Sequence, residues 1–146
     1  MKKILSIIMA MCMIFTISAA AFAADANTSN STLQIITPMS TSRPTSYAPT
    51  SWYNAWHSWG CSNYTYSSYI FDKDLGYNVD FEATKSFKVT FYKANGTTIG
   101  TYNAENYGSG VYSLSAVMDG LTTGYYFKIT NTSGSTISGA SYYIYE

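Results

Sequence analysis

The segment Phe87-Lys88-Val89-Thr90-Phe91-Tyr92 alternates apolar and polar side chains without a break. Successive side chains of a strand point to opposite faces, so Phe87, Val89 and Phe91 share one face and Lys88, Thr90 and Tyr92 the other. A helix would scatter the same three apolar residues around its circumference, whereas a half-buried strand gathers them. Lys93-Ala94-Asn95-Gly96 follows, and Asn-Gly predicts a hairpin turn in which both residues take positive φ. A partner strand is predicted from Thr97 to Tyr102. After a break at Asn106–Gly110, further strands are predicted in VYSLSAV, in YYFKITN, where Tyr125, Phe127 and Ile129 alternate with Tyr126, Lys128 and Thr130, and in ASYYIY at the end of the chain. Short strands separated by Gly and Asn turns, with no long helical pattern, predict an all-β class: an antiparallel β-sandwich or jelly roll.

The run FKVTFYKANGTTIG, followed by YYFKITNTSGSTISGASYYIY, resembles the second half of small secreted bacterial β-sandwiches of the pre-peptidase C-terminal type. The shared pattern is a hydrophobic strand, an Asn-Gly turn and a strand, then a tyrosine-doublet strand and a closing hairpin, over roughly Tyr64 to Tyr145. The resemblance implies a sandwich that binds as an accessory module rather than one that catalyses. Unlike those modules, this sequence shows no attached protease domain.

The first 23 residues have a different character. Lys2 and Lys3 precede an apolar run from Ile4 to Ile17, and Ala21-Phe22-Ala23 closes it, which are the parts of a cleavable secretory signal. A membrane anchor also needs about 20 apolar residues, but small residues at the cleavage point and a polar stretch directly after it favour release. Cys12 lies in mid-segment, without the small neighbours of a lipoprotein signal. Removing 23 of the 146 residues leaves 123, enough for one domain. The eight basic side chains fall to six against eight acidic ones, a net charge of −2, and Cys61 becomes the sole cysteine, so no internal disulfide forms. With no basic stripe, nucleic acid and anionic lipid are poor candidates as partners. No stable membrane span is expected after cleavage.

Residues 24–50 contain all three prolines, and 12 of the 25 residues from Asn27 to Ser51 are Ser or Thr. Such a stretch buries too little apolar surface to offset its ordering entropy, so it is predicted to be a flexible leader. Leu33-Gln34-Ile35-Ile36 is the one piece that fits a short edge strand, before Pro38. The β-domain is predicted to span residues 51–146.

Within that domain SWYNAWHSWGCSNYTYSSY holds all three tryptophans, the only histidine and Cys61. Trp52, Ala55, Trp56 and Trp59 have the i, i+3, i+4, i+7 spacing of a short helix, with Ser51 as N-cap and Gly60 as stop. As a strand, the same residues would put Trp52 and Trp56 on one face and Trp59 on the other. His57 and Cys61 would share a face of a helix, but no third group that could orient a nucleophile is visible, so no catalytic residue is assigned. Asp72, Asp74, Asn78 and Asp80 place oxygen ligands as a calcium loop does, although Tyr77 stands where such loops need glycine and Glu82 falls one position short of the closing ligand. A turn at Asp74-Leu75-Gly76, leading into a strand with Val79 and Phe81 inward, explains the same residues. Asp72, Asp74, Asp80, Glu82, Glu105 and Asp119 are the carboxylates available for glycoside hydrolysis, which needs two of them facing across a groove.

All 15 tyrosines lie beyond the signal, with three tryptophans and five of the seven phenylalanines. Doublets such as Tyr125-Tyr126 and Tyr142-Tyr143 must split between the faces of a strand, so part of this aromatic surface is expected to be exposed and available for contact. The functional expectation is a secreted, non-catalytic binding module without a cofactor. Trp52, Trp56, Trp59, Tyr53, Tyr64 and Tyr66 would stack on a glycan or cell-surface polymer. The alternative is a structural matrix protein or a membrane-active antimicrobial protein acting through self-association, and an adaptor or inhibitor of another exported protein is a third reading. The sequence leaves the oligomeric state open.

Overall fold

The computed structural model describes residues 40–146. The signal expected at residues 1–23 with Cys12, the strand expected at Leu33–Ile36 and the expected leader as far as residue 39 lie outside the described residues. Nine strands occur among those described: β1 Ala55–Cys61, β2 Tyr64–Tyr66, β3 Asn78–Ala83, β4 Phe87–Lys93, β5 Thr98–Asn103, β6 Glu105–Asn106, β7 Tyr112–Val117, β8 Tyr125–Asn131 and β9 Ile137–Tyr145. They form two antiparallel sheets, one ordered β1-β9-β3-β7-β6 and the other β2-β8-β4-β5. The domain is therefore all-β and sandwich-like, with the chain crossing repeatedly between sheets. The alternations read in residues 87–92 and 125–131 form β4 and β8, paired in register from Phe87↔Asn131 to Lys93↔Tyr125.

The inward faces meet in an aromatic core. Phe127 of β8 packs edge-on to Phe81 of β3 at 4.9 Å and to Tyr142 of β9 at 5.1 Å, so one ring from the four-stranded sheet sits against two from the other. Phe71 stacks on Phe127 at 5.7 Å from the segment before β3, and Phe91 closes the cluster at 5.9 Å. Ring pairs in these edge-to-face and offset arrangements add to the stabilisation from buried area. Val79, Val89, Ile129, Ile137 and Ile144 fill the spaces around the rings.

Two tyrosine hydroxyls reach from this core to backbone. Tyr125 Oη donates to the Gly76 carbonyl at 2.8 Å, and the Asp72 amide donates to Tyr53 Oη at 2.7 Å. Both bonds hold the turn between Asp72 and Gly76 against the sheets. Gly76 is required there by close approach, because a Cβ would lie 2.6 Å from Ile144 Cγ2 and 2.7 Å from Tyr53 Cδ1. Burial pushes the Tyr125 phenol well above its usual range, so this hydroxyl stays a donor.

The hairpin after β4 differs from its expected form. Gly96 alone has positive φ, 96°, and its amide donates to the Lys93 carbonyl at 2.8 Å. Asn95 acts instead through its side chain, whose Oδ1 accepts from the Thr97 amide at 3.0 Å.

The described part of the leader is tied to the domain. Ser40 bridges to Tyr66 and Tyr47 to Ile70, the Ala48 amide donates to the Ile70 carbonyl at 2.8 Å, and Arg43 Nη2 donates to the Ala94 carbonyl at 2.6 Å. Low apolar content predicted flexibility for residues 40–48, but backbone and guanidinium hydrogen bonds attach them, with Pro44 buried and Ala48 packed against the core.

Phe127→Ala removes the ring that joins the sheets and is expected to destabilise the domain by about 3–5 kcal/mol, read from the midpoint of urea unfolding. A loss below about 1 kcal/mol would show that the inter-sheet cluster is not what holds the domain together.

Candidate functional site

The Ser51–Gly60 segment is not a helix. A 3₁₀ turn at Thr50–Trp52 gives way to β1 because Asn54 adopts φ 58°, a left-handed conformation that interrupts either repeat. This also parts Trp52 from Trp56, which an unbroken strand would have placed on one face. Trp52 and Trp59 are buried, as is Tyr53, whereas Trp56 is 44% exposed and leans on Tyr143 at 5.1 Å. Trp59 packs edge-on to Phe87 at 5.2 Å across the core. Of the three tryptophans and Tyr53, only Trp56 can meet a ligand at the surface.

His57 points inward, 2% exposed, and stacks on Trp52 with centroids 3.9 Å apart and planes 8° from parallel. Its Nε2 lies 2.9 Å from the Trp52 carbonyl. A carbonyl only accepts, so Nε2 carries the proton and Nδ1 is left without a hydrogen-bond partner among the described residues. Burial lowers the His57 pKa, opposed by the bond to Trp52, and the imidazole is neutral. Cys61 lies four residues along the same strand, about 13 Å away at the usual rise per residue. Burial also raises its thiol pKa. The two side chains do not meet, and the helix that would have paired them is absent.

Tyr64 and Tyr66 of β2 sit half-buried on the outer face of the four-stranded sheet. Lys128 Nζ lies over the Tyr64 ring at 4.2 Å and over Tyr66 at 5.8 Å, which are cation–π distances. Tyr126 also points outward but is 3% exposed. It stacks on Tyr92 at 5.0 Å, and Arg43 covers its ring at 5.1 Å. The docked leader explains why this member of a doublet is covered.

The calcium arrangement is not formed. Asp72 caps its own turn, its Oδ1 accepting from the Asp74 amide at 2.9 Å, and Asp74 pairs with Lys73. Asn78 and Asp80 leave that turn on β3 and face outward, with Val79 and Phe81 inward. Among the described residues, no three His, Cys, Asp or Glu side chains are placed to share a metal ion.

One concavity among the described residues lies where the sandwich opens at its side, between edge strand β5 and β7. It encloses about 520 Å³, within the range of small-ligand sites, and is lined by Tyr102, Asn103, Glu105, Tyr107, Ser113 and Ser115. Tyr102 is 43% exposed and held edge-on by Phe91 at 5.9 Å, and Tyr107 is 72% exposed. Tyr107 starts a tight loop closed by hydrogen bonds from its amide to the Val111 carbonyl, from the Val111 amide to the Gly108 carbonyl and from the Gly108 amide to Asn106 Oδ1. Gly108, Ser109 and Gly110 all have positive φ there. Of the six carboxylates considered for hydrolysis, Glu105 alone lines this groove. Sequence reading missed the site because its walls come from separate strands. The hint was available in the Asn-Tyr-Gly-Ser-Gly break, an aromatic residue inside a turn.

Comparison with protein-family models, with curated proteins and with solved structures returned no match.

Iodide and acrylamide should quench Trp56 alone, and Trp56→Phe should leave emission largely resistant to both; strong quenching in that variant would place Trp52 or Trp59 at the surface. A second expectation concerns pH. Above about 6.5 folded and unfolded chains both hold a neutral imidazole, so the site adds no slope. As pH falls toward about 5, the unfolded chain binds a proton that folded His57 resists, and stability drops. His57→Gln should flatten the melting temperature between pH 7.5 and 5, and an unchanged slope would assign it to other groups.

Proposed function

We propose that this chain is a secreted, non-catalytic binding module that holds a glycan or cell-surface polymer in the groove between β5 and β7. The observation that carries the reading is the pair of exposed rings, Tyr102 and Tyr107, beside a carboxylate, an amide and serine hydroxyls with no side-chain partners among the described residues. Sugars present flat C–H faces that stack on aromatic rings, and hydroxyls that donate to carboxylates and amide oxygens. A ring held by Phe91 on one side, an exposed ring on the other and acceptors between them suit that chemistry. The basic, apolar and A-x-A parts of residues 1–23 support export, and the two antiparallel sheets support a sandwich. Of the residues named from sequence, Trp52, Trp59 and Tyr53 are buried, and the aromatic contact moves to Tyr102 and Tyr107 of the groove.

Retention of the purified protein on insoluble cellulose, chitin and peptidoglycan tests the reading. Saturable binding to one of them is expected, reduced at least tenfold in Tyr102→Ala/Tyr107→Ala and retained in Trp56→Ala. Absence of retention on all three, or equal retention by the groove variant, would remove the groove from the account.

A further inference from the structure

The strands of the two sheets divide their charge completely. Those of the five-stranded sheet contain no Lys or Arg, and Asp80 and Glu82 of β3 and Glu105 of β6 lie on its outer face. Those of the four-stranded sheet contain no Asp or Glu, and its outer face carries Lys88 and Lys128, with Arg43 laid over Tyr126. Three negative charges thus stand on one side of the sandwich and three positive ones on the other. Aromatic rings accompany both sets. Trp56, Tyr143 and Tyr145 run along the acidic face with neighbouring centroids 5.1 Å apart, and Tyr64, Tyr66 and Tyr92 lie on the basic one.

We infer that the acidic face of one copy docks on the basic face of the next. The occupant is a second copy of this chain because the two patches complement each other in sign, in number of charges and in ring content. The rings of the acidic face also meet cations from the other side, so Lys128 and Arg43 can face Trp56 and Tyr143 as well as the carboxylates. Opposite faces of one sandwich make a heterologous contact that does not close, and the product is an open stack rather than a dimer. With about 10 Å between packed sheets, the stack repeats roughly every 20 Å.

Size fixes the strength. Five strands at about 4.8 Å spacing and six residues at about 3.3 Å give a face near 400 Å². That is roughly half the ~800 Å² per partner of a standard interface, so association is weak and reversible. Exposed charges are screened within about 10 Å at 0.1 M salt, so the stack also dissolves as salt rises. Glu105 is shared with the groove, whereas Asp80, Glu82, Lys88 and Lys128 do not line it, so reversing these four charges tests the contact apart from glycan binding.

Sedimentation of two charge-reversed variants decides the matter, with circular dichroism confirming that each is folded. Asp80→Lys/Glu82→Lys makes both faces basic, and Lys88→Glu/Lys128→Glu makes both acidic. The unaltered protein should show concentration-dependent association at low salt that vanishes at high salt, and each variant alone should remain monomeric. An equimolar mixture of the two should associate again, because each then meets a complementary face. The proposal is overturned if the unaltered protein stays monomeric at its highest attainable concentration in low salt. It is equally overturned if either variant alone associates as the unaltered protein does, or if two folded variants fail to co-assemble.

Discussion

The contact of Phe127 with Phe81 and Tyr142 is the joint on which the molecule depends. Each sheet alone offers a wet face and an apolar face, and only their meeting takes the apolar faces out of water. Rings suit this joint because a single residue spans much of the roughly 10 Å gap between packed sheets. Aromatic bulk also sets what can surround it. Near Gly76 the rings leave no room for a Cβ, and the backbone of that turn comes close enough to take a hydrogen bond from Tyr125. The core thereby fixes the connection into β3, and β3 in turn carries Asp80 and Glu82 to the outside.

The strands were legible where one periodicity had no rival. Phe87, Val89 and Phe91 can be gathered only by a strand, and Tyr125, Phe127 and Ile129 likewise. The tryptophan segment was illegible because its spacing satisfies a helix and, with different partners, a strand. A single residue, Asn54, decides between them: its φ is 58°, a left-handed conformation that Asn tolerates better than most residues, at the point where the chain turns to join β9. Tyr126 shows a second limit. Alternation correctly turns it outward, but its covering comes from Arg43, far away in a segment whose composition suggested only flexibility. The groove marks a third: Tyr102 and Ser115 become neighbours only once β5 and β7 belong to different sheets.

Burial of Trp52 and Trp59 changes what the aromatic excess of this chain means. These indoles and most phenylalanines serve cohesion, and His57 joins them as a flat neutral ring stacked on Trp52. Surface chemistry is left largely to tyrosine, whose hydroxyl keeps an exposed ring wetted. Sheet pairing then sorts the charges. β3, β6 and β7 are neighbours, so carboxylates scattered over residues 80–105 converge on one side, while Lys88 and Lys128 meet on the other through the pairing of β4 with β8.

The loop from Tyr107 to Val111 stands apart from all this. A side chain added at Gly108 or Gly110 would meet nothing within 4 Å, and the loop closes on itself through its own backbone. Its constraint is therefore purely conformational, and its sequence is uncoupled from the core. Changes in the residues beside Tyr107 alter the rim of the groove without passing through the packing that keeps the domain folded. Such a rim is a place where recognition can diversify under selection while the scaffold is conserved.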